Sequence, residues 1–320
     1  MEKKVNINRS WDSTCILGFG AHAELKLLPA LKEVGLNIGG VVSSKSDLKI
    51  SGVKIFSQIE DAINFLPKNT LYIISSPPDM HYQQSKILVE AGKDIFIEKP
   101  AFTSINNLND ILTAAEKNNA LVLEMLMYLE SKVVKRIIKI LKKNKSSVRN
   151  IQLKFLIPSI PKNTFRNEST LGCSLLSDMG CYPLSLLTYI GYDLSNLNLV
   201  SHQERQTKTI KFYIEGIFEH TSINIQIGLS NDYKNKVIIK FHDSHEIICE
   251  PFFYGRAGER KFIESNDNSV KEEIIYEKNS YELMFSRSRS DWMKVQKNRL
   301  DKLQQVTDAM QRLGKHAGFK

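Results

Sequence analysis

The stretch that decides the fold of the first half of the chain is TCILGFGAHA, residues 14–23. An apolar run suited to a short strand leads directly into a GxGxxA pattern, and helical spacing of leucines follows it. In a dinucleotide-binding fold the first glycine permits the tight turn and the second lets the backbone approach a pyrophosphate. The small third residue lets helix and strand pack closely. The pattern therefore predicts a dinucleotide site formed by Gly18, Phe19, Gly20, Ala21 and His22.

Short apolar runs and helical patterns continue to alternate over the first 124 residues. Strands are predicted at 14–17, 37–42, 71–74 and 94–97, helices at 24–34, 80–90 and 108–117, and a further apolar run at 120–123. Strands separated by helices indicate βαβ units and a parallel sheet covered on both faces.

After about residue 150 the hydrophobic period changes from 3.6 to 2, which is typical of strands with one wet face. The alternation is visible at 151–157, 223–229 and 237–241, with a helical stretch at 173–190 between them. The chain ends in a helical pattern whose apolar stripe favours core packing over a partner site. The stripe consists of Leu300, Leu303, Val306, Met310 and Leu313.

Composition describes an ordinary globular chain of 320 residues, 42% hydrophobic and 25% charged. It excludes a disordered chain, a collagen-like repeat and a coiled-coil rod. The longest nearly apolar run, 183–190, is too short to cross a membrane, and residues 1–14 lack the apolar core of a secretion signal. Four scattered cysteines without a CxxC pair indicate reduced thiols, so we expect a cytoplasmic protein.

The net charge of +9 is concentrated in the segments 132–149 and 287–320. The first has the spacing of an amphipathic helix, so a solvated face over a buried stripe is the favoured interpretation. Nucleic acid or an anionic membrane surface is the alternative. No aromatic residues alternate with these charges, and we expect no nucleic-acid partner.

The end of the second predicted strand indicates which dinucleotide is bound. Twenty residues after Ala23, where an NAD enzyme usually carries an acid, the chain has Ser43-Ser44-Lys45. Two hydroxyls and an ammonium accept a 2′-phosphate that a carboxylate would repel. NADP(H) is therefore favoured over NAD(H), unless Lys45 simply points to water.

Two further blocks of sequence carry a family resemblance. The first is IISSPPDMHYQQSKILVEAGKDIFIEKP, residues 73–100; the second comprises FRN at 165–167, LG at 171–172 and DMGCYP at 178–183. In this order, after a GxGxxA, they resemble the Gfo/Idh/MocA family (glucose–fructose oxidoreductase, inositol dehydrogenase) in its tyrosine-type branch. The chain departs from the family pattern at two places that affect the substrate pocket. The family's glycine run before Asp178 is reduced to a single glycine in 172–174, and Met127-Tyr128-Leu129 lacks the arginine that relatives often carry there.

The resemblance implies an α/β fold with two domains. Residues 1–124 would form a Rossmann NADP-binding domain, and residues 125–320 an α/β domain for substrate binding and oligomerisation with a large open, mostly antiparallel sheet. The C-terminal helix, about 281–313, would pack back toward the first domain. A homodimer or homotetramer is expected.

The resemblance also implies roles for individual residues. The cofactor would contact Ser75, Ser76, Pro77, His81, Glu98, Lys99 and Arg166, with His81 structural rather than catalytic. Lys99 would stand by the nicotinamide before an often cis Pro100, and Tyr182 would take the acid/base position. Asp178 would either orient one of that pair or cap a helix. We expect Lys99 and Tyr182 to converge beside C4 of the nicotinamide.

The chemistry suits those residues. Reducing a ketone needs a hydride on carbon, which the cofactor supplies, and a proton on oxygen, which a phenol beside an ammonium donates. We expect an NADP(H)-dependent oxidoreductase acting on a sugar or sugar derivative, favouring a nucleotide-sugar ketoreductase whose Arg256, Arg260 and Lys261 meet the diphosphate. Dehydrogenation of free sugars, polyols or a related diol or imine, and a non-catalytic NADP-binding regulator, are the alternatives. The segment 242–245, HDSH, has the composition of a turn, so no metal site is expected.

Overall fold

The computed structural model describes residues 11–45, 47–158, 175–205 and 208–316. The chain forms two compact units. The first contains the residues up to Met125 together with Tyr281–Asp301, and the second contains Leu126–Ser280 together with Lys302–Lys320. The predicted fold class, a Rossmann domain followed by an α/β domain with a mostly antiparallel sheet, is confirmed.

The first unit is built on six parallel strands in the order β3-β2-β1-β4-β5-β6. The strands are β1 (Ser13–Leu17), β2 (Ile38–Val42), β3 (Lys54–Phe56), β4 (Thr70–Ile74), β5 (Asp94–Ile97) and β6 (Val122–Glu124). The helices are α1 (Leu28–Glu33), preceded by a π-helical turn Ala23–Leu27, α2 (Ile59–Phe65), α3 (Pro78–Glu90) and α4 (Ile105–Lys117). β1, β4 and β5 are buried throughout, because helices cover both faces of a parallel sheet.

The second unit is built on eight strands in the order β14-β13-β12-β11-β7-β10-β9-β8. They are β7 (Val148–Ile157), β8 (Asn198–Arg205), β9 (Lys208–Phe218), β10 (Thr221–Leu229), β11 (Lys234–Phe241), β12 (Glu246–Glu250), β13 (Gly258–Asn266) and β14 (Ser269–Glu277). All neighbouring strands are antiparallel except β7 and β10. Two helices, α5 (Lys132–Lys143) and α6 (Leu175–Ile190), contribute their apolar faces to the core of this unit.

The C-terminal helices take part in both units. α7 (Ser280–Phe285) and the first part of α8 (Arg289–His316) belong to the first unit. There the Arg289 guanidinium holds Asp94 with contacts of 2.7 and 3.1 Å, and Trp292 is fully buried against Phe96. Farther along α8, Val306, Met310 and Leu313 of the predicted apolar stripe pack into the core of the second unit.

Several elements went unpredicted because their local signals are weak. β3 has only three residues, and α2 has seven. β13 and β14 carry many charges, since their outer face is exposed. The segment 132–149 is not one helix: α5 ends at Lys143, and Arg149 lies in β7.

Candidate functional site

The turn after β1 has the geometry of a pyrophosphate cradle. Gly18 has φ of 81° and its N–H donates to the Val42 carbonyl at 2.9 Å. A Cβ on Gly18 would lie 2.6 Å from the Ser76 nitrogen, whereas a Cβ on Gly20 would meet nothing within 4 Å. The first glycine is therefore needed for packing, and the second leaves open space where a ligand approaches the backbone.

The residues predicted to select the cofactor lie beside this turn. Ser43 follows β2 directly, and its hydroxyl accepts the Lys45 N–H at 3.1 Å. The Lys45 ammonium reaches to 3.3 Å from the Phe19 carbonyl. The side chain therefore bends back toward the glycine turn and does not merely point to water.

A second turn, after β4, is tied to the segment that follows β5. The Ser76 hydroxyl donates to Gln84 at 2.6 Å. The buried His81 ring lies 2.9 Å from the Ser76 carbonyl and 3.1 and 3.2 Å from the carbonyls of Pro100 and Ala101. His81 thus links two predicted cofactor segments, which is the structural role expected of it. Its direct contact with the cofactor stays a prediction.

Glu98 is the centre of a cluster that sequence reasoning did not find. One oxygen accepts the Tyr281 hydroxyl at 2.8 Å and lies 2.8 Å from His22 Nε2. Burial opposes the charge, but His22, Tyr281 and Lys99 outweigh it and hold the pKa of Glu98 below its ordinary value. The peptide bond between Lys99 and Pro100 is cis, as the resemblance implies. The cluster joins the fingerprint turn to the Glu98-Lys99 segment.

In the second unit, Tyr182 stands among aromatic rings. Its ring centroid lies 5.1 Å from that of Phe155, 5.5 Å from Tyr128 and 5.9 Å from Phe253, and the side chain is buried. The Tyr128 hydroxyl donates to the Tyr182 carbonyl at 3.0 Å. This packing fixes the direction of the Tyr182 ring.

Asp178 lies one turn before Tyr182 on α6, in the first turn of the helix, and is buried. Residues four apart share one helix face, so both roles considered for Asp178 remain open. Arg166 lies outside the described residues, as do the glycine at 172 and its neighbours. The roles of Lys99, Tyr182 and Asp178 stay predictions.

The three cations predicted to contact a diphosphate differ in burial and in the partners they already have. Arg260 is buried and donates to the carbonyls of Glu259, Tyr254 and Arg256, and Lys261 pairs with Glu272 at 2.8 Å. Arg256 is exposed and lines a cavity of about 540 Å³ together with Tyr233, Tyr254 and Arg260. The Nη atoms of Arg260 hold the loop before β13 through these carbonyls, and a contact of the three cations with a diphosphate stays a prediction.

One cation of the basic segment 132–149 has a structural contact within the second unit. Arg136 on α5 pairs with Glu273 at 2.7 Å and covers the Phe262 ring at 3.9 Å. Residues 242–245 form the turn between β11 and β12. In the described part of the chain no group of three His, Cys, Asp or Glu side chains is placed to hold a metal ion. No helix among the described residues has both the length and the apolar character needed to span a bilayer.

Curated relatives resemble part of the chain. A dTDP-3,4-didehydro-2,6-dideoxy-alpha-D-glucose 3-reductase from Saccharopolyspora spinosa is 24% identical over 174 residues, 52% of each chain. The enzyme of the same name from Actinomadura kijaniata is 24% identical over 136 residues, 42% of this chain and 41% of the relative. The chain thus matches about half the length of these relatives or less.

Solved structures share the fold over nearly the whole chain. A 3-ketoreductase from Actinomadura kijaniata, in complex with NADP and TDP-benzene, has a TM-score of 0.79 at 16% identity, covering 93% of this chain and 96% of that one. An aldose-aldose oxidoreductase from Caulobacter crescentus, complexed with glycerol, has a TM-score of 0.80 at 14% identity, covering 96% and 98%. Residues 14–125 match the family model of an oxidoreductase family with an NAD-binding Rossmann fold. Over residues 14–125 the chain is therefore similar to the Gfo/Idh/MocA family of oxidoreductases.

Proposed function

We propose that the protein is an NADP(H)-dependent oxidoreductase that reduces a keto group on a nucleotide-activated sugar. The observation that carries the proposal is the glycine turn. Gly20 leaves its ligand side open, and the Lys45 ammonium lies 3.3 Å from the carbonyl of Phe19 within the same turn. This combination suits a pyrophosphate next to a ribose 2′-phosphate.

The substrate class is supported by the relatives and by the second unit. Both curated relatives are named as reductases of a dTDP-linked keto sugar. The cavity lined by Tyr233, Tyr254 and Arg256 offers two aromatic rings and an exposed guanidinium, a combination that suits a base and a diphosphate.

The cofactor and two side chains would each supply one part of the reduction. When bound, NADPH supplies the hydride that reduces the carbonyl carbon. The Tyr182 phenol gives its proton to the carbonyl oxygen, and the Lys99 ammonium stabilises the negative charge that develops there. The aromatic rings around Tyr182 keep the phenol in one orientation and exclude water from it.

The test is consumption of NADPH with a substrate panel: a TDP-linked 3-keto sugar, its UDP-linked counterpart, free keto sugars and polyols. We expect turnover with the TDP-linked ketone. Lys99→Ala and Tyr182→Phe should each lower kcat at least ~100-fold while NADPH still binds. Unchanged turnover in both variants would refute these roles. Turnover of free sugars or polyols alone would support the alternative dehydrogenase, and no turnover with any compound would support a non-catalytic regulator.

We also propose a cytoplasmic homodimer or homotetramer. The described cysteines Cys15, Cys181 and Cys249 are buried and form no disulfide bonds, which suits a reducing compartment. Outer strands of the second sheet expose large apolar side chains, among them Ile217, Val270 and Tyr276. Light scattering on the purified protein measures the oligomeric state, and a monomer at all concentrations would contradict this part of the proposal.

A further inference from the structure

A buried carboxylate stands close to the proposed catalytic lysine without a part in the chemistry above. Glu124 is the last residue of β6, and the register of the sheet pairs it with Ile97 on β5. The carboxyl ends of parallel strands meet at one edge of a sheet. Glu124 therefore lies at the edge from which Glu98 and Lys99 emerge.

Glu124 holds the turn that carries the lysine. Its Oε1 accepts the Ala101 N–H at 3.0 Å, and the side chain is 6% exposed. The Ala101 carbonyl in turn faces the His81 ring. Two buried side chains, Glu124 and His81, thus hold the N–H and the carbonyl of Ala101, two residues after Lys99.

The second oxygen of Glu124 is exceptional. Oε2 is buried and has no hydrogen-bond partner among the described residues. Leaving a carboxylate oxygen buried and unpaired costs roughly 1–3 kcal/mol or more, so a purely structural role would favour a neutral side chain here. An apolar residue or a glutamine would fill the same space at a lower cost.

The charges around the Glu124 carboxylate determine the pH range in which it ionises. The charges of Lys99, Glu98 and Arg299, all within the first unit, act on Glu124. Glu98 is already engaged by His22 and Tyr281, so Glu124 adds a second negative charge around a single lysine. Burial raises the pKa of Glu124 to about 7, against the opposing effects of the Ala101 N–H and Lys99. Its charge therefore changes in the neutral range.

We propose that Glu124 is a positioning residue for Lys99: it fixes the 99–101 turn and, by gaining or losing its charge, sets how acidic the Lys99 ammonium is. The inference rests on the proposed function for its catalytic meaning. With Glu124 neutral, the ammonium is a stronger acid and a stronger hydrogen-bond donor to the substrate oxygen. With Glu124 ionised, the proton on Lys99 is held more tightly.

The first test needs no substrate. The pH dependence of chemical labelling at Lys99, followed by peptide mass spectrometry on the intact protein, reports the ionisation of that amine. Glu124→Gln should lower the labelling midpoint by about 1 pH unit, because one nearby negative charge is lost. Glu124→Asp, which keeps the charge, should restore most of the shift. The matched control is Glu130→Gln, which neutralises a buried glutamate of the second unit and should leave the midpoint unchanged.

The second test is the pH profile of kcat with NADPH and the TDP-linked ketone. The wild-type profile should contain a transition near pH 7 that Glu124→Gln abolishes and Glu130→Gln retains. If Glu124→Gln changed thermal stability alone and left both the labelling midpoint and the profile unmoved, Glu124 would be purely structural and the inference would be overturned. If the panel gives no turnover while the labelling midpoint still shifts, the proposed function fails and the coupling of Glu124 to Lys99 stands.

Discussion

The two glycines of the fingerprint turn predict opposite consequences for the same small substitution. In Gly18→Ala the new Cβ would lie 2.6 Å from the Ser76 nitrogen and 2.7 Å from its Cα, at a φ of 81°. The left-handed backbone costs an alanine about 1–2 kcal/mol, and overpacking against backbone atoms that cannot rotate away adds about 1–3 kcal/mol. The expected loss of stability is therefore about 2–5 kcal/mol. The turns after β1 and β4 must also move apart, so NADPH affinity falls as well.

Gly20→Ala is the matched variant. Its Cβ meets nothing within 4 Å, so the free energy of unfolding should change by no more than about 0.5 kcal/mol. The methyl group instead occupies the space in which the pyrophosphate approaches the backbone. Loss of one charge-assisted hydrogen bond, about 1.5–3 kcal/mol, corresponds to roughly 10–150-fold weaker NADPH binding.

Thermal unfolding and titration of NADPH fluorescence distinguish the two variants. Gly18→Ala should lower both the thermal stability and the affinity for NADPH, whereas Gly20→Ala should lower only the affinity. Wild-type affinity in Gly20→Ala would refute the pyrophosphate cradle. Wild-type stability in Gly18→Ala would refute the close approach of the two turns.

Three further predictions concern the first unit. Asp94→Asn breaks the bidentate contact with Arg289 and should destabilise the protein by about 3 kcal/mol in thermal unfolding. As a control, Asp110→Asn removes an exposed ion pair with Lys86 and should cost less than about 1 kcal/mol. Lys45→Glu should raise the Kd for NADPH at least ~10-fold and spare NADH; an unchanged cofactor preference would contradict the role of Lys45. Burial raises the pKa of Glu124 from 4.5 to about 7, so the native state holds a proton that the unfolded state releases. Stability should fall by about 3 kcal/mol as pH rises through this range, and Glu124→Gln should flatten that slope in denaturant titrations at several pH values.

Much of the Rossmann unit could be predicted because its signals are local. A buried parallel strand needs an unbroken apolar run, and the boundaries expected for 71–74 and 94–97 agree with β4 and β5 to within a residue. The glycine at 18 is required by a positive φ that a single residue determines. In the second unit the alternation of apolar and polar residues predicted β7, β10 and β11. It missed β13 and β14, because these strands expose one face to solvent and carry the many charges that are typical of a loop.

The sequence alone determined the cofactor turn and most of the strands and helices of the first unit, because each depends on residues close together in the chain. Tertiary structure alone decided which groups surround those residues. Tyr281 reaches Glu98 across 183 positions, and Arg289 reaches Asp94 across 195. It also decided that Arg260 is directed into its own loop and that the carboxylate of Glu124 is buried beside Lys99. Such contacts depend on how distant strands and helices pack, and no periodicity in the chain encodes the distance between two side chains that meet only after folding.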